Sequence, residues 1–284
     1  MEYDYFEAFS RTLGFLSTEE LGRLRRARVA IAGLGGTGGA QVHALARMGI
    51  GKFSLADPDA FELVNFNRQS GATVPNIGRL KTEVAKETIL SINPEAEVRT
   101  FDTGVGPANI ESFLDGVDVV VDSLDFYCFE ERFLLYAHAR SKGLWVLTSP
   151  PLGFGFTLLM FDPRGMSFMD YFGFRPGMSE RQRIIALIAG IAPQPFMLKY
   201  MDRTRPDFEG RRLPSVGAAP FMIAGVIATE VTRILLGKDD LMAAPTIYQF
   251  DALLRRFRKK TYRWGMRGPV QRIKQRLLDR MLPR

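Results

Sequence analysis

Short apolar runs recur along the first half of the chain, and stretches with helical periodicity separate them. Residues 18–26 show this helical pattern just before the first run. Five runs are predicted to be strands: Val29 to Ala32, Lys52 to Ala56, Glu97 to Phe101, Val117 to Asp122 and Leu144 to Thr148. Such alternation is typical of a doubly wound, mostly parallel sheet, an α/β fold whose ligands bind beyond the carboxyl ends of the strands.

The pattern changes after residue 150. Gly155 to Phe161 is an apolar run followed by a tight-turn sequence, which predicts an antiparallel extension of the sheet. Two longer apolar stretches, Ile184 to Ile191 and Pro220 to Leu236, are predicted to be helices. Neither is interpreted as a membrane span, because the first is too short and the second contains charged residues.

A glycine-rich turn follows the first predicted strand. Gly33, Gly35 and Gly38 have the spacing of a nucleotide-binding loop, and Gly36 lies between them. A helix begins there, so a pyrophosphate can bind the free N–H groups at its positive end. The motif alone is a weak signal. However, the second strand ends on Asp57, whose carboxylate can accept hydrogen bonds from ribose hydroxyls, and the combination predicts a nucleotide site.

Polar and cationic side chains follow the second strand. Asn65 supplies an amide, Arg68 a guanidinium and Lys81 an ammonium group. These donors suit a triphosphate. A nicotinamide-dependent enzyme has little need for them, and no proton-transferring His or Tyr/Lys pair stands out, so hydride transfer is the weakest interpretation.

The order of these motifs resembles the ThiF/MoeB superfamily, which includes ubiquitin-activating enzymes, sulfur-carrier adenylyltransferases and a tRNA-modifying dehydratase. The matching stretches lie within roughly residues 28–150: GLGGTGG, the DPD at Asp57, NFNRQ, IGRLK, the Asn93-Pro94 dipeptide and VDVVVDSLD up to Asp125. The resemblance implies a Rossmann-like domain with an antiparallel extension and a helical C-terminal part. It also implies that ATP adenylates a carboxylate.

The resemblance further implies roles for individual side chains. Arg68 and Lys81 would hold the phosphate chain, and Asn65 would orient it. Asp57 would bind the ribose. Asp125 would face the Mg²⁺ bound to the triphosphate, for which one carboxylate at a strand end is adequate because phosphate oxygens complete the coordination.

Three further residues have two interpretations each. Asp59 and Gln69 either contact the nucleotide or brace the loop by hydrogen-bonding to its backbone. Arg11 resembles an N-terminal arginine that many family members insert into the active site of the partner subunit. An ordinary exposed arginine fits the sequence equally well.

The chain also departs from the family pattern. Members commonly place Asn after the metal-facing aspartate and Arg five residues beyond it, whereas this chain has Phe126 and Glu130, with Arg132 two residues later. This departure puts the contacts to adenine in doubt. The single cysteine, Cys128, lies outside the expected crossover loop, so no enzyme thioester is expected. Paired CxxC motifs are missing from the sequence, so no zinc is expected either.

The net charge of +7 is unevenly distributed. Residues 255–284 contain 12 of the 38 Lys and Arg but only one, Asp279, of the 31 Asp and Glu. The end of this segment predicts an amphipathic helix, with an apolar stripe of Val270, Ile273, Leu277 and Met281 beside Arg272, Arg276 and Arg280. Such a tail suits tRNA or an anionic membrane surface, and a solvated helix that covers part of a dimer is the alternative.

The chain is therefore divided into an N-terminal helical arm (1–27), an adenylation domain (28–254) with a crossover-type loop at about 203–217, and a basic tail (255–284). The N-terminus lacks the pattern of a secretory signal, and a single cysteine fits a reducing compartment. A cytoplasmic protein is expected, at the membrane periphery if the tail binds lipid.

The sequence favours a homodimeric, Mg-ATP-dependent adenylyltransferase that activates a carboxylate without an enzyme thioester. The carboxylate would belong to a small molecule or to the C-terminus of a peptide or ubiquitin-like protein. One alternative is an ATP-dependent, tRNA-modifying dehydratase-like enzyme. Another is a non-catalytic scaffold protein that retains the nucleotide pocket.

Overall fold

The computed structural model describes residues 2–208 and 210–281 of the 284-residue chain. The side chain of Met281 and residues 282–284, which complete the predicted amphipathic helix, lie outside the described residues. So does Glu209 in the predicted crossover loop.

One sheet contains the nine strands of the described residues. Their bounds are β1 Arg28–Ala32, β2 Lys52–Ala56, β3 Glu97–Phe101, β4 Val119–Asp122, β5 Trp145–Thr148, β6 Pro151–Leu152, β7 Gly155–Phe161, β8 Thr246–Asp251 and β9 Arg256–Thr261. The strand order is β3-β2-β1-β4-β5-β7-β8-β9, and β6 pairs with β7. Strands β3 to β5 along this order are parallel, and β7, β8 and β9 extend the sheet in antiparallel fashion. The predicted α/β class is confirmed.

Ten α-helices connect and cover the strands in the described part of the chain. They are α1 Tyr5–Ala8, α2 Thr18–Arg26, α3 Gly36–Arg47, α4 Lys81–Ile92, α5 Ile110–Phe113, α6 Phe129–Ser141, α7 Phe168–Phe172, α8 Glu180–Ile191, α9 Ala218–Leu235 and α10 Pro269–Met281. A capping box at Ser17 and Glu20 begins α2, which supplies two of the backbone partners that a helix start lacks.

At the central strand β1, each face of the sheet is buried under helices. On one face, Val29 and Ile31 of β1 pack with residues of α3 and α9. On the other, Ala30 and Ala32 pack in a cluster that includes α5, α6, α7 and α8. Side chains of β1 alternate between two buried layers, so the strand is apolar from Val29 to Ala32, as expected for a central parallel strand.

The basic segment 255–284 begins inside the sheet. Strand β9 forms a hairpin with β8, in which Asp251 pairs with Arg256 and Thr246 with Thr261. The boundary placed between residues 254 and 255 thus falls in the turn of this hairpin. The cations of β9 belong to the sheet, and α10 follows them.

Helix α9 has the length and the mean hydropathy, 1.5, of a membrane-crossing helix. It is the one helix of the described residues with these properties. Its Ile223, Ile227 and Val231 are buried in the core against α3 and the sheet. A core helix of this kind passes the same test, so length and composition are weak evidence for a membrane span.

Candidate nucleotide site

The ends of three parallel strands bring the predicted site residues to one edge of the sheet. Ala32, the last residue of β1, is in register with Ala56 of β2 and Asp122 of β4. Gly33 continues from β1 with φ +89°, and its N–H donates to the Ala56 carbonyl at 2.8 Å. A side chain on Gly33 would collide with the backbone of Ser123, so only glycine fits this turn.

The glycine turn leads directly into α3. A Cβ on Gly38 would collide with the carbonyl oxygen of Gly33, so the first turn of the helix lies hard against the end of β1. Gly35 is the residue that precedes α3, and no side chain caps the helix there. The N–H groups of the first turn therefore remain able to bind an anion.

Asp57 holds this turn through both carboxylate oxygens. Oδ2 accepts from the N–H of Leu34 at 2.6 Å, and Oδ1 accepts from the N–H of Asp59 at 2.9 Å. Burial raises the pKa of the Asp57 carboxyl, and Lys81 opposes that rise. The sequence predicted a ribose contact at this position. The bracing of the glycine turn was not anticipated.

Lys81 is the first residue of α4 and is buried between two carboxylates. Its Nζ lies 2.7 Å from Oδ2 of Asp59 and 3.7 Å from Oδ1 of Asp57. The backbone N–H of Lys81 also donates to the Asp59 carbonyl at 3.0 Å. The structure thus joins three of the predicted residues in one charged cluster beside the glycine turn.

Arg68 lies on the other side of the turn. A Cβ on Gly36 would lie 3.6 Å from Cγ of Arg68, so this side chain contacts the start of α3. Its Nη1 donates to the Val64 carbonyl at 2.9 Å and to Oδ1 of Asn67 at 3.0 Å. The guanidinium is only partly buried and keeps further donors for a ligand.

Asn65 and Gln69 differ in how well their amides are paired. Oδ1 of Asn65 accepts from the N–H of Glu62 at 3.0 Å, which braces the turn that precedes Arg68. Gln69 is buried, and a Cβ on Gly35 would lie 3.7 Å from its Nε2. Within the described residues, Oε1 of Gln69 has no hydrogen-bond partner. An unpaired amide oxygen next to the glycine turn is costly, and a ligand can relieve that cost.

Asp125 lies three residues beyond β4 and is exposed. Its Oδ1 accepts from the N–H of Tyr127 at 3.2 Å. Beneath it, buried Arg132 donates from Nη2 to the carbonyls of Leu124 and Asp125, at 2.8 and 3.1 Å, and from Nε to Asp122 at 2.9 Å. From the sequence, Arg132 was identified only as an arginine two residues beyond the position that is common in the family. The sequence feature that could have indicated its role is Asp122, an acidic residue at the end of a buried strand, with an arginine on the helix that follows.

The described part of the loop 203–217 spans both sides of the site. Ser215 accepts from Nδ2 of Asn67 at 2.9 Å, on the Arg68 side. Phe208 accepts from the Tyr127 hydroxyl at 3.2 Å, on the Asp125 side, and the Arg211 guanidinium lies 4.9 Å from the centre of the Tyr127 ring. This loop therefore connects the NFNRQ segment with the segment that carries Asp125.

Two of the predicted or considered residues are not part of this cluster. Arg11 lies in the short turn Ser10–Thr12, is exposed, and has no hydrogen bond or ion pair with any described residue. Cys128 precedes α6, and burial raises the pKa of its thiol to about 11. As for metal sites, the described residues contain no cluster of three or more His, Cys, Asp or Glu side chains arranged to hold an ion.

The ThiF family model matches residues 9–263, which is most of the chain. The chain belongs to the ThiF family. The predicted superfamily is confirmed by this match, and the Gly33 turn, Asp57 and Lys81 all lie within it. Names of adenylyltransferases recur among the relatives of this ThiF-family protein.

Two curated relatives differ in how much of the ThiF-family chain they match. The tRNA threonylcarbamoyladenosine dehydratase of Haemophilus influenzae is 42% identical over 147 residues, which is 51% of this chain and 56% of that protein. The chain spans about half the length of the tRNA dehydratases that it matches. The SAMP-activating enzyme E1 of Haloferax volcanii is 26% identical over 252 residues, 89% of this chain and 83% of that protein.

A solved structure shows the same fold. The crystal structure of E. coli MccB with ATP superposes with a TM-score of 0.66 at 20% identity, over 95% of this chain and 73% of MccB. At that identity the likeness establishes the ThiF-type fold alone.

Proposed function

We propose that the protein is an ATP-dependent adenylyltransferase that activates a carboxylate as an acyl-adenylate. The proposal rests on the contact between the Arg68 side chain and the uncapped first turn of α3 at Gly36. The Lys81 cluster lies beyond the end of the neighbouring strand β2. Free backbone N–H groups and a guanidinium meet at this turn, and the Lys81 ammonium lies beside it, close to the Asp57 that holds the turn. Donors of these kinds suit a triphosphate. Membership of the ThiF family and the names of its adenylyltransferases support the same conclusion.

The fit of ATP is supported by what surrounds the turn. Gly33 and Gly38 let the turn pack tightly on the strand ends, and Gly35 and Gly36 carry no side chain that would keep a phosphate from the backbone N–H groups. The unpaired Oε1 of buried Gln69 can accept a hydrogen bond from a donor of the ligand, such as a ribose hydroxyl. Mg²⁺ bound to the triphosphate would neutralise charge, and exposed Asp125, which has one oxygen unpaired within the described residues, is the carboxylate placed to hold it.

The proposed reaction has two steps. A carboxylate oxygen attacks the α-phosphorus of ATP, the bond to the bridging oxygen breaks, and pyrophosphate leaves. A nucleophile then attacks the acyl carbon, and AMP leaves. The residues contribute mainly by positioning two anions: Arg68 and Lys81 offset their charge, and Arg132 fixes the loop of Asp125. A protonated Cys128 outside the cluster supports a transfer without an enzyme thioester.

A homodimer belongs to this proposal. Large apolar side chains are exposed beside the glycine turn, on the segment 63–80 and at the start of α9: Leu63, Val64, Phe66, Val74, Ile77, Leu80 and Phe221. Contiguous exposed apolar side chains mark contact surfaces. The Arg11 side chain has no partner among the described residues, and Leu13 and Phe15 close to it in the chain are exposed. Insertion of Arg11 into the site of a second copy would give the arginine a partner and would cover these apolar side chains.

ATP–pyrophosphate exchange tests the proposed activity. Exchange should depend on an added carboxylate, drawn from peptide C-termini, a ubiquitin-like protein and small acids, and should vanish in Asp125→Asn. Isothermal titration with Mg-ATP is the companion measurement. Binding of ATP without exchange for any carboxylate would point to the non-catalytic scaffold, and absence of ATP binding would overturn the nucleotide site itself.

A tRNA-modifying dehydratase is the second candidate, favoured by the 42% identity to the Haemophilus influenzae protein over 147 residues, about half of this chain. An adenylated carboxylate that is captured by a nucleophile of the same molecule loses one water overall, so the same site serves both reactions. Incubation with ATP and tRNA that carries threonylcarbamoyladenosine distinguishes them. The nucleoside should lose the mass of one water if this candidate is correct and stay unchanged if it is not.

A further inference from the structure

Helix α10 faces the rest of the protein with two glutamines and the half-buried Leu278. Gln271 is buried, and Nε2 of Gln275 donates to the Met266 carbonyl at 2.9 Å. On the opposite side, Val270, Ile273 and Leu277 are 62%, 57% and 53% exposed. A surface helix normally buries its apolar stripe against the core. In α10 the stripe points away from the protein.

Specific polar contacts fix this orientation. Nε of Arg181 in α8 lies 2.8 Å from Oδ1 of Asp279, and its Nη2 donates to the Asp279 carbonyl at 2.7 Å. Nζ of Lys274 donates to the Pro193 carbonyl at 2.9 Å. The helix is thus attached near its middle and near its end, and rotation of the apolar stripe toward the core would break these bonds.

Cations border the apolar stripe. At about 100° per residue, Arg276 and Arg280 project along one side of the stripe and Lys274 along the other. Neither arginine has an ion pair with a described residue. Burial lowers the pKa of the Lys274 ammonium, and Lys260 and Arg258 of β9 lower it further. These cations of the basic strand therefore lie within electrostatic reach of the basic helix.

An exposed tryptophan lies at the start of the same helix. Trp264 is 64% exposed, and a Cβ on Gly268 would lie 3.8 Å from its Cε3. Gly268 immediately precedes α10, so the indole lies near the N-terminal end of the apolar stripe, which Val270 begins. Tryptophan is enriched where membranes meet water, because its ring is apolar and its N–H is polar.

The combination selects the partner. Nucleic acid would pair with the cations but would leave Ile273, Leu277 and Trp264 exposed to water. A second copy in a symmetric contact would cover the stripe but would place arginines against arginines. An anionic bilayer offers acyl chains to the stripe and headgroup phosphates to the cations. We propose that α10, with Trp264 and the cations of β9, docks the protein on an anionic lipid surface.

Sedimentation with lipid vesicles tests this proposal on the full chain. The protein should sediment with vesicles of phosphatidylcholine mixed with phosphatidylglycerol and should not sediment with phosphatidylcholine alone. Ile273→Ser/Leu277→Ser should weaken binding by about tenfold or more through lost apolar burial. Arg276→Gln/Arg280→Gln should weaken it by about tenfold, and added salt should do the same.

Leu253→Ser is the matched control for the apolar change. Leu253 is 53% exposed, like Leu277, but it lies in the β8–β9 turn at the far end of β9. This variant should bind like the wild type. Trp264 fluorescence should shift to the blue on anionic vesicles, and Trp264→Phe should remove that shift and leave the signal of the other tryptophan, Trp145.

Four results would overturn the proposal. The first is absence of sedimentation of the wild type with the anionic vesicles. The second is equal vesicle binding by Ile273→Ser/Leu277→Ser and Leu253→Ser. The third is a fall in mass on size-exclusion chromatography for the serine double variant with no change in lipid binding, which would assign the stripe to a second copy. tRNA binding that depends on Arg276 and Arg280, without vesicle binding, would assign the cations to RNA instead.

Discussion

Arg132 donates from Nε to Oδ2 of Asp122 across 2.9 Å, and both side chains are buried at the end of β4. The hydroxyl of Tyr136 donates to the same oxygen at 3.1 Å. Since Arg132 also holds the carbonyls of Leu124 and Asp125, the ion pair links the core to the loop that carries the proposed metal-facing carboxylate.

Replacement of this arginine should destabilise the fold. Arg132→Met leaves the Asp122 carboxylate buried without its cation, which costs about 3–5 kcal/mol of unfolding free energy. Arg140→Met is the control on the same helix, because Arg140 is exposed and donates only to the Gly165 carbonyl. Its cost should stay within about 0.5 kcal/mol. Urea unfolding measures both, and equal losses in the two variants would contradict the role given to the buried pair.

Two glycines in helices should respond oppositely to alanine. In Gly38→Ala the new Cβ collides with the Gly33 carbonyl, so the unfolding free energy should fall by about 1–3 kcal/mol or more. Gly225 in α9 has open space around it, so Gly225→Ala should raise that free energy by up to about 1 kcal/mol. Thermal or urea unfolding checks the pair. Stabilisation of both variants would mean that the glycine turn does not lie against α3.

Loss of the Arg68 guanidinium should weaken ATP binding. Arg68→Ala should cost about 1.5–3 kcal/mol of binding free energy, the range for a hydrogen bond to a charged group. Lys86→Ala removes an exposed cation from α4 that has no ion pair with a described residue, and it should leave the affinity unchanged. Isothermal titration with Mg-ATP is the measurement, and the assignment fails if both variants bind like the wild type.

The Cys128 thiol should stay protonated through neutral pH. Because burial raises its pKa to about 11, its alkylation by iodoacetamide should still accelerate above pH 9, whereas alkylation of the urea-unfolded protein should level near the ordinary cysteine pKa of about 8.5. The folded state retains this proton to a higher pH than the unfolded state, so this group lowers stability as the pH rises from 9 to about 11.

Cys128→Ser should keep its turnover, and a thiol-sensitive adduct formed during turnover would contradict a mechanism without an enzyme thioester.

Arg11 should act across the dimer if the proposal of a shared site is correct. A heterodimer of Arg11→Ala and Asp125→Asn subunits, isolated with two tags, contains one site with both residues intact and should show about half of the wild-type exchange activity. Each homodimeric variant should be nearly inactive. An inactive heterodimer would place Arg11 in its own subunit's site, and a fully active Arg11→Ala homodimer would remove it from the chemistry.

Much of the fold was predictable because its signals are local. The predicted bounds of β2, β3 and β7 are confirmed. Strand β7 is largely an apolar run, and β2 and β3 mix polar with apolar, β-branched or aromatic residues between turn residues. Strand β4 begins at Val119, two residues later than predicted, because the N–H of Val117 donates to Leu114 and closes the turn after α5. A residue whose backbone N–H closes the preceding turn cannot be distinguished from a strand residue by the polarity of its side chain.

The sequence predicted which residues belong to the site better than it predicted the contacts that they make. The motif order indicated Asp57, Arg68 and Lys81, and the edge of the sheet brings Asp57 and Lys81 together. The use of both Asp57 oxygens by backbone N–H groups depends on the path of the glycine turn. The role of Arg132 depends on the rotation of α6 over β4. Neither geometry has a signature in residue spacing, because each is set by tertiary packing.

Strand β9 also determines where the sheet stops. In the described part of the chain its only strand neighbour is β8, so the backbone groups on its outer side are open to another strand. Arg256, Arg258, Lys259 and Lys260 occupy four of its six positions, and all six residues are exposed. An identical strand approaching this edge would bring four more cations into contact, which opposes edge-to-edge aggregation. The same charges leave the edge open to an acidic strand, so growth of the sheet is blocked by electrostatic repulsion between copies and not by shape.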